Sequence, residues 1–224
     1  MTRVVVLSGG MDSTSALALA YHATDEGDET RAISFDYGQR HAKELDSARA
    51  IAAHYGIRHT VVSLKGLLSG SALLHEGEVP EGHYAEESMS ATVVNGRNLL
   101  FASAAVAQCQ PGDSLWLGVH AGDHPVYPDC RPEFWSDLTS LVFGAYFVRI
   151  VTPFVNIDKS DVAKIADTYN APLGLSWSCY KGGEKHCGRC GTCVERAEAF
   201  HLAGLVDPTE YEDAEFWRTA TASA

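Results

Sequence analysis

Residues 8–13 read SGGMDS and combine two glycines, two hydroxyls and a carboxylate directly after an apolar, β-branched run. Adjacent glycines let a backbone approach a ligand closely, and the free N–H groups of a turn and a helix start attract anions. The segment matches neither the G-x-x-x-x-G-K-[ST] pattern of a P-loop nor the G-x-G-x-x-G pattern of dinucleotide sites. It therefore predicts a phosphate-binding loop of another type, placed between a strand and a helix.

Three polar residues are candidates for chemistry at this loop. Asp12 would lie beside the phosphates, where a carboxylate is suited to Mg²⁺, although an aspartate at a helix start can also be a cap. Ser13 follows in the same turn. Lys159 is predicted to begin a later helix, where its ammonium either neutralises phosphate charge or remains in solvent. We predict that Asp12, Ser13 and Lys159 are the catalytic residues.

Four of the six cysteines cluster near the end of the chain, with seven, two and two residues between them: Cys179, Cys187, Cys190 and Cys193. Four thiolates at this spacing can close a tetrahedral Zn²⁺ site, and a site without an open position is structural. An iron–sulfur cluster and free thiols are the alternatives. The neighbouring His186 is expected at the surface.

Polar residues also gather in loops that follow predicted strands. Asp123, Tyr127, Asp129 and Arg131 share one short loop, whose carboxylates, phenol and guanidinium could bind a heterocycle or merely pair with one another. Arg97 and Asn98 begin a helix, where they contact a ligand or cap the helix. A third polar turn spans residues 36–41.

The periodicity of apolar residues predicts the elements that position these groups. We expect strands at 3–7, 31–35, 59–64, 114–119 and 149–154, and helices at 14–23, 42–54, 98–108, 132–143, 159–169 and 194–202. Asp158 is a plausible cap of the fifth of these helices. Residues 65–90 are predicted to be a long loop that could act as a lid. Strands alternating with helices predict an α/β fold with a doubly wound, mostly parallel sheet, in which ligands bind beyond the carboxyl ends of the strands.

Composition limits the function further. The 224 residues carry a formal net charge of −12 and contain no Lys/Arg run, which favours a small-molecule substrate over a nucleic acid. No apolar run approaches the roughly 20 residues that span a bilayer. With no signal peptide recognised, a cytoplasmic location is expected. We expect an α/β domain with the phosphate-binding loop at 1–172, a zinc-binding segment with a closing helix at 173–206 and an acidic tail at 207–224 that could fray.

Taken together, the motifs resemble those of the 7-cyano-7-deazaguanine synthase family, a group of PP-loop ATP pyrophosphatases. The shared motifs are SGGMDS at 8–13, YGQRH at 37–41, GRN at 96–98, YPDCRPEF at 127–134, KSD at 159–161 and WSCY at 177–180 with the later cysteines. The phosphate loop alone would also admit NAD synthetase, GMP synthetase or tRNA-thiolating enzymes. One departure is Asn95, at a position where the family usually has proline.

The resemblance implies a PP-loop fold of the Rossmann-like, adenine nucleotide α-hydrolase-like type with a C-terminal zinc subdomain of four cysteines. It implies an ATP site made by Leu7, Ser8, Gly9, Gly10, Met11, Asp12, Ser13, Thr14, Ser15, Ala16 and Leu17. Together with the polar loops described above, the resemblance implies that these residues bind the substrate: Tyr37, Gln39, Arg40, Arg97, Asn98, Asp123, Tyr127, Asp129 and Arg131. The cofactors expected are ATP, Mg²⁺ and Zn²⁺.

The activity implied is that of an ATP-dependent ligase. It would convert 7-carboxy-7-deazaguanine and ammonia to 7-cyano-7-deazaguanine (preQ0) through an adenylated carboxylate and an activated amide. The family also suggests a homodimer. Three alternatives stay open: a relative that stops at 7-amido-7-deazaguanine, a nucleotide- and zinc-binding module without catalysis, and a tRNA-thiolating enzyme, against which the acidic charge balance argues.

Overall fold

The computed structural model of the protein describes residues 1–40, 43–74 and 78–222. Its centre is a parallel five-stranded sheet in the order β3-β2-β1-β4-β5. The strands are β1 (Thr2–Val6), β2 (Glu29–Asp36), β3 (Arg58–Ser63), β4 (Ser114–Trp116) and β5 (Arg149–Val151). The predicted α/β class and parallel sheet are confirmed.

Seven α-helices belong to the part of the chain that the structure describes. They are α1 (Met11–His22), α2 (Lys43–His54), α3 (Arg97–Val106), α4 (Pro132–Tyr146), α5 (Lys159–Thr168), α6 (Gly191–Ala203) and α7 (Phe216–Ala222). Short 3₁₀ turns lie at Ala72–Leu74, Glu87–Thr92, Ala121–Asp123, Pro128–Cys130 and Leu173–Leu175. None of these helices has the length and apolarity that crossing a bilayer requires.

The position of β1 explains its apolar sequence. It pairs with β2 on one side and with β4 on the other, so that Val4 lies between Arg31 and Leu115. Val4 and Val5 are fully buried because both faces of a central parallel strand are covered. The strand order reverses between β1 and β4, and this reversal opens a crevice at their carboxyl ends.

Element boundaries differ from the predictions for local reasons. Helix α1 begins at Met11 rather than at residue 14, since Gly10 is its N-cap and its carbonyl already accepts from the Thr14 N–H. Strand β5 ends at Val151, before Pro153, which has no N–H to donate to a neighbouring strand. Asp158 is the N-cap of α5, as predicted, and accepts from the Asp161 N–H at 3.0 Å. The predicted helix start at residue 42 lies outside the described residues, as does His41 of the YGQRH motif.

The described part of the acidic tail, for which fraying was expected, makes contacts with the rest of the protein. Asp207 accepts hydrogen bonds from the buried Arg196 at 3.2 Å and from the Tyr211 hydroxyl at 2.6 Å. Farther along, Asp213 pairs with Arg189 at 3.1 Å. These contacts tie the tail to α6 and to the cysteine segment. The contact with Arg196 matters most, because a buried guanidinium needs a carboxylate partner.

The long loop between β3 and α3 is held against the body of the protein at two places. The Arg40 N–H donates to the Leu73 carbonyl at 2.9 Å, and Leu73 is buried. The Gly82 N–H donates to the Arg189 carbonyl at 3.1 Å, beside an ion pair of Glu81 with Lys181. The loop therefore packs across the cysteine segment, and its proposed role as a lid stays a prediction.

Candidate functional site

A cleft of about 190 Å³ lies where the strand order reverses. Its walls are the segments that follow β1, β2 and β4 and the first turns of α1, α2, α3, α5 and α6. One end is charged and contains the phosphate loop. The other end is aromatic and is bounded by Phe35, Tyr37 and Phe101. Two chemically different ligands, or two parts of one ligand, can therefore meet in a single cleft.

The phosphate loop is held by its own hydroxyls. The hydroxyls of Ser8 and Ser13 lie 2.9 Å apart, and the Ser13 hydroxyl donates to the Gly10 carbonyl at 3.2 Å. Because α1 starts at Met11, the first N–H groups of the helix have no helical partner and face the cleft edge. This arrangement can bind an anion.

Two glycines permit the close packing around this loop. Gly9 has a φ of 93°, and a Cβ there would collide with the carbonyl oxygen of Glu44 in the first turn of α2. Gly118, just after β4, lies so near α1 that a Cβ would be 2.6 Å from the Asp12 carbonyl. Larger residues at either position would push an element away from the loop.

Only part of the predicted ATP-binding stretch lines the cleft, and the rest lies in the interior of the protein. Leu7, Ser8, Gly10, Met11, Asp12 and Ser13 line the cleft. The remaining residues do not. The hydroxyls of Thr14 and Ser15 donate to the Gly10 and Met11 carbonyls at 2.7 and 2.8 Å. Ala16 and Leu17 belong to the hydrophobic core, and Gly9 faces α2.

Lys159 and Asp12 meet at the charged end, although they are far apart in sequence. The Lys159 ammonium is 3.2 Å from Asp12 and 2.7 Å from Glu195, and all three side chains are largely buried. Burial opposes the charge on Lys159, but the two carboxylates outweigh it and raise the lysine pKa. Burial also opposes ionisation of Asp12, and the attraction of Lys159 nevertheless lowers its pKa. Lys159 and Asp12 therefore stay charged at neutral pH.

His120 and Glu195 complete the cluster, and the sequence analysis identified neither. His120 is 1% exposed, and its Nδ1 accepts from the Gly122 N–H at 3.2 Å, so that Nε2 faces the carboxylates. Nε2 lies 3.5 Å from Asp123 and 3.7 Å from Glu195. His120 directly follows the run 114–119 that was predicted to be a strand, and this position could have identified it as a candidate site residue. Glu195 gave none, since a single glutamate in a helix is usually exposed.

The charged end has the donors that a divalent cation needs. Asp12 is not a cap, because Gly10 caps α1, and its Oδ1 atom is buried without a hydrogen-bond partner among the described residues. The donor atoms of His120, Asp123 and Glu195 lie within 4.8 Å of one another. Carboxylate oxygens are the ligands preferred by Mg²⁺, and an orphaned buried carboxylate oxygen fits such an ion.

The aromatic end has flat walls and two charged groups. Phe35 stacks on Phe101 with ring centroids 4.6 Å apart, and the Tyr37 ring lies 5.3 Å from the same phenylalanine. Burial raises the pKa of Tyr37 to about 12, so its hydroxyl stays neutral, and its oxygen accepts a hydrogen bond from the Arg97 guanidinium. Arg97 and Glu44 both line this end.

Some of the predicted substrate-binding residues line the cleft, and the others do not. Those that line the cleft are Tyr37, Gln39, Arg97, Asn98 and Asp123. Arg40 lines a smaller pocket next to it, and the Tyr127 hydroxyl lies 2.7 Å from the Thr92 hydroxyl.

The structure does not bring Asp129 and Arg131 to the cleft. The Asp129 carboxylate accepts from the Asn98 N–H at 3.0 Å and so caps the start of α3. The exposed Arg131 donates to the His124 carbonyl at 3.2 Å. Both residues therefore shape the loop.

The four clustered cysteines form a compact group of buried thiols whose sulfurs lie within 4.8 Å of one another. Backbone N–H groups of Cys187 and Lys181 donate to the Cys179 sulfur at 3.4 Å, and those of Cys190 and Arg189 donate to Cys187. Hydrogen bonds from the neighbouring thiols and from the backbone lower the pKa of Cys179. This geometry suits a four-thiolate metal site.

His186 does not lie at the surface, as expected from the sequence, but is 6% exposed. Its Nε2 accepts from the Ser178 N–H at 3.0 Å, and its ring packs on Trp177 at 4.2 Å. Burial lowers its pKa to about 4, which keeps it neutral. His186 therefore supports the fold of the cysteine segment and is not in the cluster of candidate ligands.

The cysteine segment also forms a wall of the cleft. The backbone N–H of Trp177 donates to the Gly9 carbonyl at 2.8 Å, which joins the segment to the phosphate loop. The Thr192 hydroxyl donates to the Ser178 carbonyl at 2.7 Å, and both residues line the cleft. Lys43 of α2 lies 4.4 Å above the Trp177 ring. The cysteine segment is thus in direct contact with the phosphate loop and lines the cleft.

The chain is similar to known proteins. A family described as "Queuosine biosynthesis protein QueC" matches residues 2–204. Proteins named 7-cyano-7-deazaguanine synthase from Brucella anthropi and Paracoccus denitrificans are each 49% identical, over 98% and 99% of this chain and 97% and 98% of their own lengths. Among solved structures, NMN synthetase from Francisella tularensis aligns at 17% identity with a TM-score of 0.48, over 99% of this chain and 85% of that one. On the strength of the family match and the two relatives, this chain belongs to the QueC family of queuosine biosynthesis proteins.

Proposed function

We propose that the protein is a 7-cyano-7-deazaguanine synthase, an ATP-dependent ligase that makes the nitrile from 7-carboxy-7-deazaguanine and ammonia. The observation that carries the proposal is the single cleft in which a phosphate loop with Asp12 and Lys159 faces an aromatic end with Arg97. The 49% identity to proteins of that name over almost their whole length supports it.

The reaction needs two activations of the same carbon. A carboxylate oxygen attacks the α-phosphorus of ATP, and pyrophosphate leaves. Ammonia then attacks the acyl carbon, and AMP leaves with loss of a proton to give the amide. The amide oxygen attacks the α-phosphorus of a second ATP, and a second pyrophosphate leaves. Departure of AMP with loss of the two remaining N–H protons then gives the nitrile. No protein nucleophile is required, so the enzyme acts by positioning and charge stabilisation.

The charged end supplies that stabilisation. We assign the binding of phosphate oxygens to the N–H groups at the start of α1 and to the Lys159 ammonium. We assign Mg²⁺ to the unpartnered Oδ1 atom of Asp12 together with Asp123 and Glu195, where the ion would neutralise phosphate charge. Ser13 holds the loop through its hydroxyl bonds to Ser8 and Gly10.

The aromatic end is proposed to hold the deazapurine. The stacked Phe35 and Phe101 offer a flat apolar wall for a bicyclic ring. Arg97 is placed to bind the carboxylate, and Tyr37 orients Arg97 through its hydroxyl. Asn98 donates to the Cys130 sulfur at 3.3 Å and orders the loop behind the substrate.

The cysteine cluster is proposed to hold structural zinc. Cys179, Cys187, Cys190 and Cys193 supply four soft ligands and leave no open coordination position. The enzyme is further proposed to act as a cytoplasmic homodimer on small molecules, with ammonia as the nitrogen donor. The net charge of −12 supports a function without nucleic acid.

Mass spectrometry of a reaction with 7-carboxy-7-deazaguanine, ammonium, ATP and Mg²⁺ tests the proposal. The nitrile and AMP are the expected products, and Lys159→Met is expected to abolish both while staying folded. An amide product, heavier by one water, would identify a relative that stops at 7-amido-7-deazaguanine. Absence of AMP with ATP still bound would identify a non-catalytic module.

A further inference from the structure

Glu44 is a charged residue of the cleft that the reaction described above does not use. It belongs to the first turn of α2, and the close contact of its carbonyl with Gly9 fixes it beside the phosphate loop. Its side chain lines both the cleft and the smaller pocket next to it. The geometry therefore places a carboxylate at the aromatic end of the site.

The Glu44 carboxylate has no internal partner in the part of the chain that the structure describes. No N–H or O–H donates to it, and no cation lies within ion-pair distance; Arg97 acts on it only from farther away. Burial raises its pKa to about 7, and the opposing attraction of Arg97 does not cancel this effect. An unpaired carboxylate in such a place costs stability, as groups that await a ligand often do.

Arg97 is complementary to Glu44 within the same end of the cleft. Its guanidinium lies among the phenols of Tyr37, Tyr127 and Tyr180, and no carboxylate of the described chain is within ion-pair distance. The two side chains thus present an acceptor and an anion receptor separated by more than an ion-pair distance. A ligand that satisfies both needs an edge with N–H donors and, away from it, a negative group.

On the basis of the proposed function, we propose that Glu44 accepts the ring N–H and the exocyclic amino hydrogens of the deazaguanine, while Arg97 holds its 7-carboxylate. The guanine-like edge offers two adjacent donors, which match the two oxygens of a carboxylate. The bicyclic ring separates this edge from the 7-carboxylate, as the two protein groups require. Adenine offers one donor beside an acceptor on its pairing edge, so the base of ATP is the poorer match for Glu44.

The test is calorimetric binding of 7-carboxy-7-deazaguanine and of the analogue that lacks the exocyclic amino group. Wild type is expected to bind the analogue about tenfold more weakly, because one donor to Glu44 is lost. Glu44→Gln is expected to weaken binding of the full substrate at least about tenfold and to reduce discrimination between the two ligands to less than about threefold. Binding of ATP alone should change less than about twofold. Glu133→Gln, an exposed glutamate of α4, is the matched control and should behave as wild type.

Each other outcome has a definite meaning. If Glu44→Gln weakened ATP binding and left deazapurine binding intact, Glu44 would serve the nucleotide and the proposal would be overturned. Unchanged discrimination in a folded Glu44→Gln variant would also overturn it, while nitrile formation by wild type would leave the proposed function standing. If wild type bound neither deazapurine and made no nitrile, the proposed function itself would be wrong and this assignment would fall with it.

Discussion

Gly9 is the residue at which the phosphate loop tolerates substitution least. Its φ of 93° is unfavourable for any residue with a side chain, and a Cβ would strike the Glu44 carbonyl. We expect Gly9→Ala to lower the free energy of unfolding by about 2 kcal/mol or more and to weaken ATP binding. Urea unfolding and ATP titration measure both effects.

Gly10→Ala is the control for this prediction. Gly10 has an ordinary φ of −78°, and the nearest atom to an added Cβ is the Ser8 hydroxyl oxygen at 3.5 Å. This variant should unfold within about 1 kcal/mol of wild type, the usual range where no clash arises. Equal stability of wild type and Gly9→Ala would show that the loop is not tightly packed against α2.

Glu44 predicts an unusual dependence of stability on pH. Its pKa rises from about 4.5 in the unfolded chain to about 7 in the folded protein. Folding therefore favours the protonated form of Glu44. The stability that this form contributes is complete below pH 4.5 and is lost as the pH rises through 7. At pH 8 we expect Glu44→Gln to be more stable than wild type by roughly 2 kcal/mol. Unfolding at pH 4 and pH 8 measures this, and a difference that did not grow with pH would contradict it.

Residue types and spacing identified side chains that line the cleft only where these lay in recognisable patterns. Asp12 and Lys159 could be predicted because one follows a glycine-rich turn and the other begins a helix. Glu44 and Glu195 could not, because a single glutamate in a helix looks like a solvent-exposed residue until the packing around it is known. Asp129 shows the opposite limit, since its place in a polar loop did not reveal that its carboxylate faces the N–H of Asn98.

At the scale of elements, the alternation of apolar runs was sufficient to predict a parallel sheet and the order of strands and helices along the chain. It did not predict the strand order β3-β2-β1-β4-β5, which depends on long-range packing. Nor did it predict the contacts of the tail, because the pairing of Arg196 with Asp207 is invisible in local patterns.

The cysteine segment is the element whose loss should affect the site most. We expect about one zinc per chain by metal analysis, and we expect Cys190→Ala to lose it and to lower stability by several kcal/mol. Since Trp177 bonds to the Gly9 carbonyl, ATP binding should weaken in the metal-free protein at temperatures where the sheet is still folded. Circular dichroism and ATP titration after chelation measure this.

Cys109→Ala is the matched control, because this thiol lies just beyond α3, apart from the cluster, and contacts only the Ala105 carbonyl by hydrogen bond. It should retain metal and ATP affinity. A Cys190→Ala protein with full ATP affinity would show that the cysteine segment does not support the phosphate loop.

At the scale of the whole molecule, the tail closes the structure through Asp207. Arg196 is fully buried, and replacing its carboxylate partner leaves an unpaired buried charge. We expect Asp207→Ala to lower the free energy of unfolding by about 3 kcal/mol. Glu215→Ala removes a comparable but exposed pair with Arg218 and should cost less than about 1 kcal/mol. Similar losses in both variants would show that the tail contact is only superficial.

The hydrogen bond between Trp177 and Gly9 has a consequence for protein synthesis. The phosphate loop precedes Lys159, Glu195 and the tryptophan in the chain, so it leaves the ribosome before they do. Until they arrive, the nascent chain has a loop for phosphate without its cation or its supporting wall. We therefore expect the growing polypeptide to become able to use ATP only once these later segments have docked.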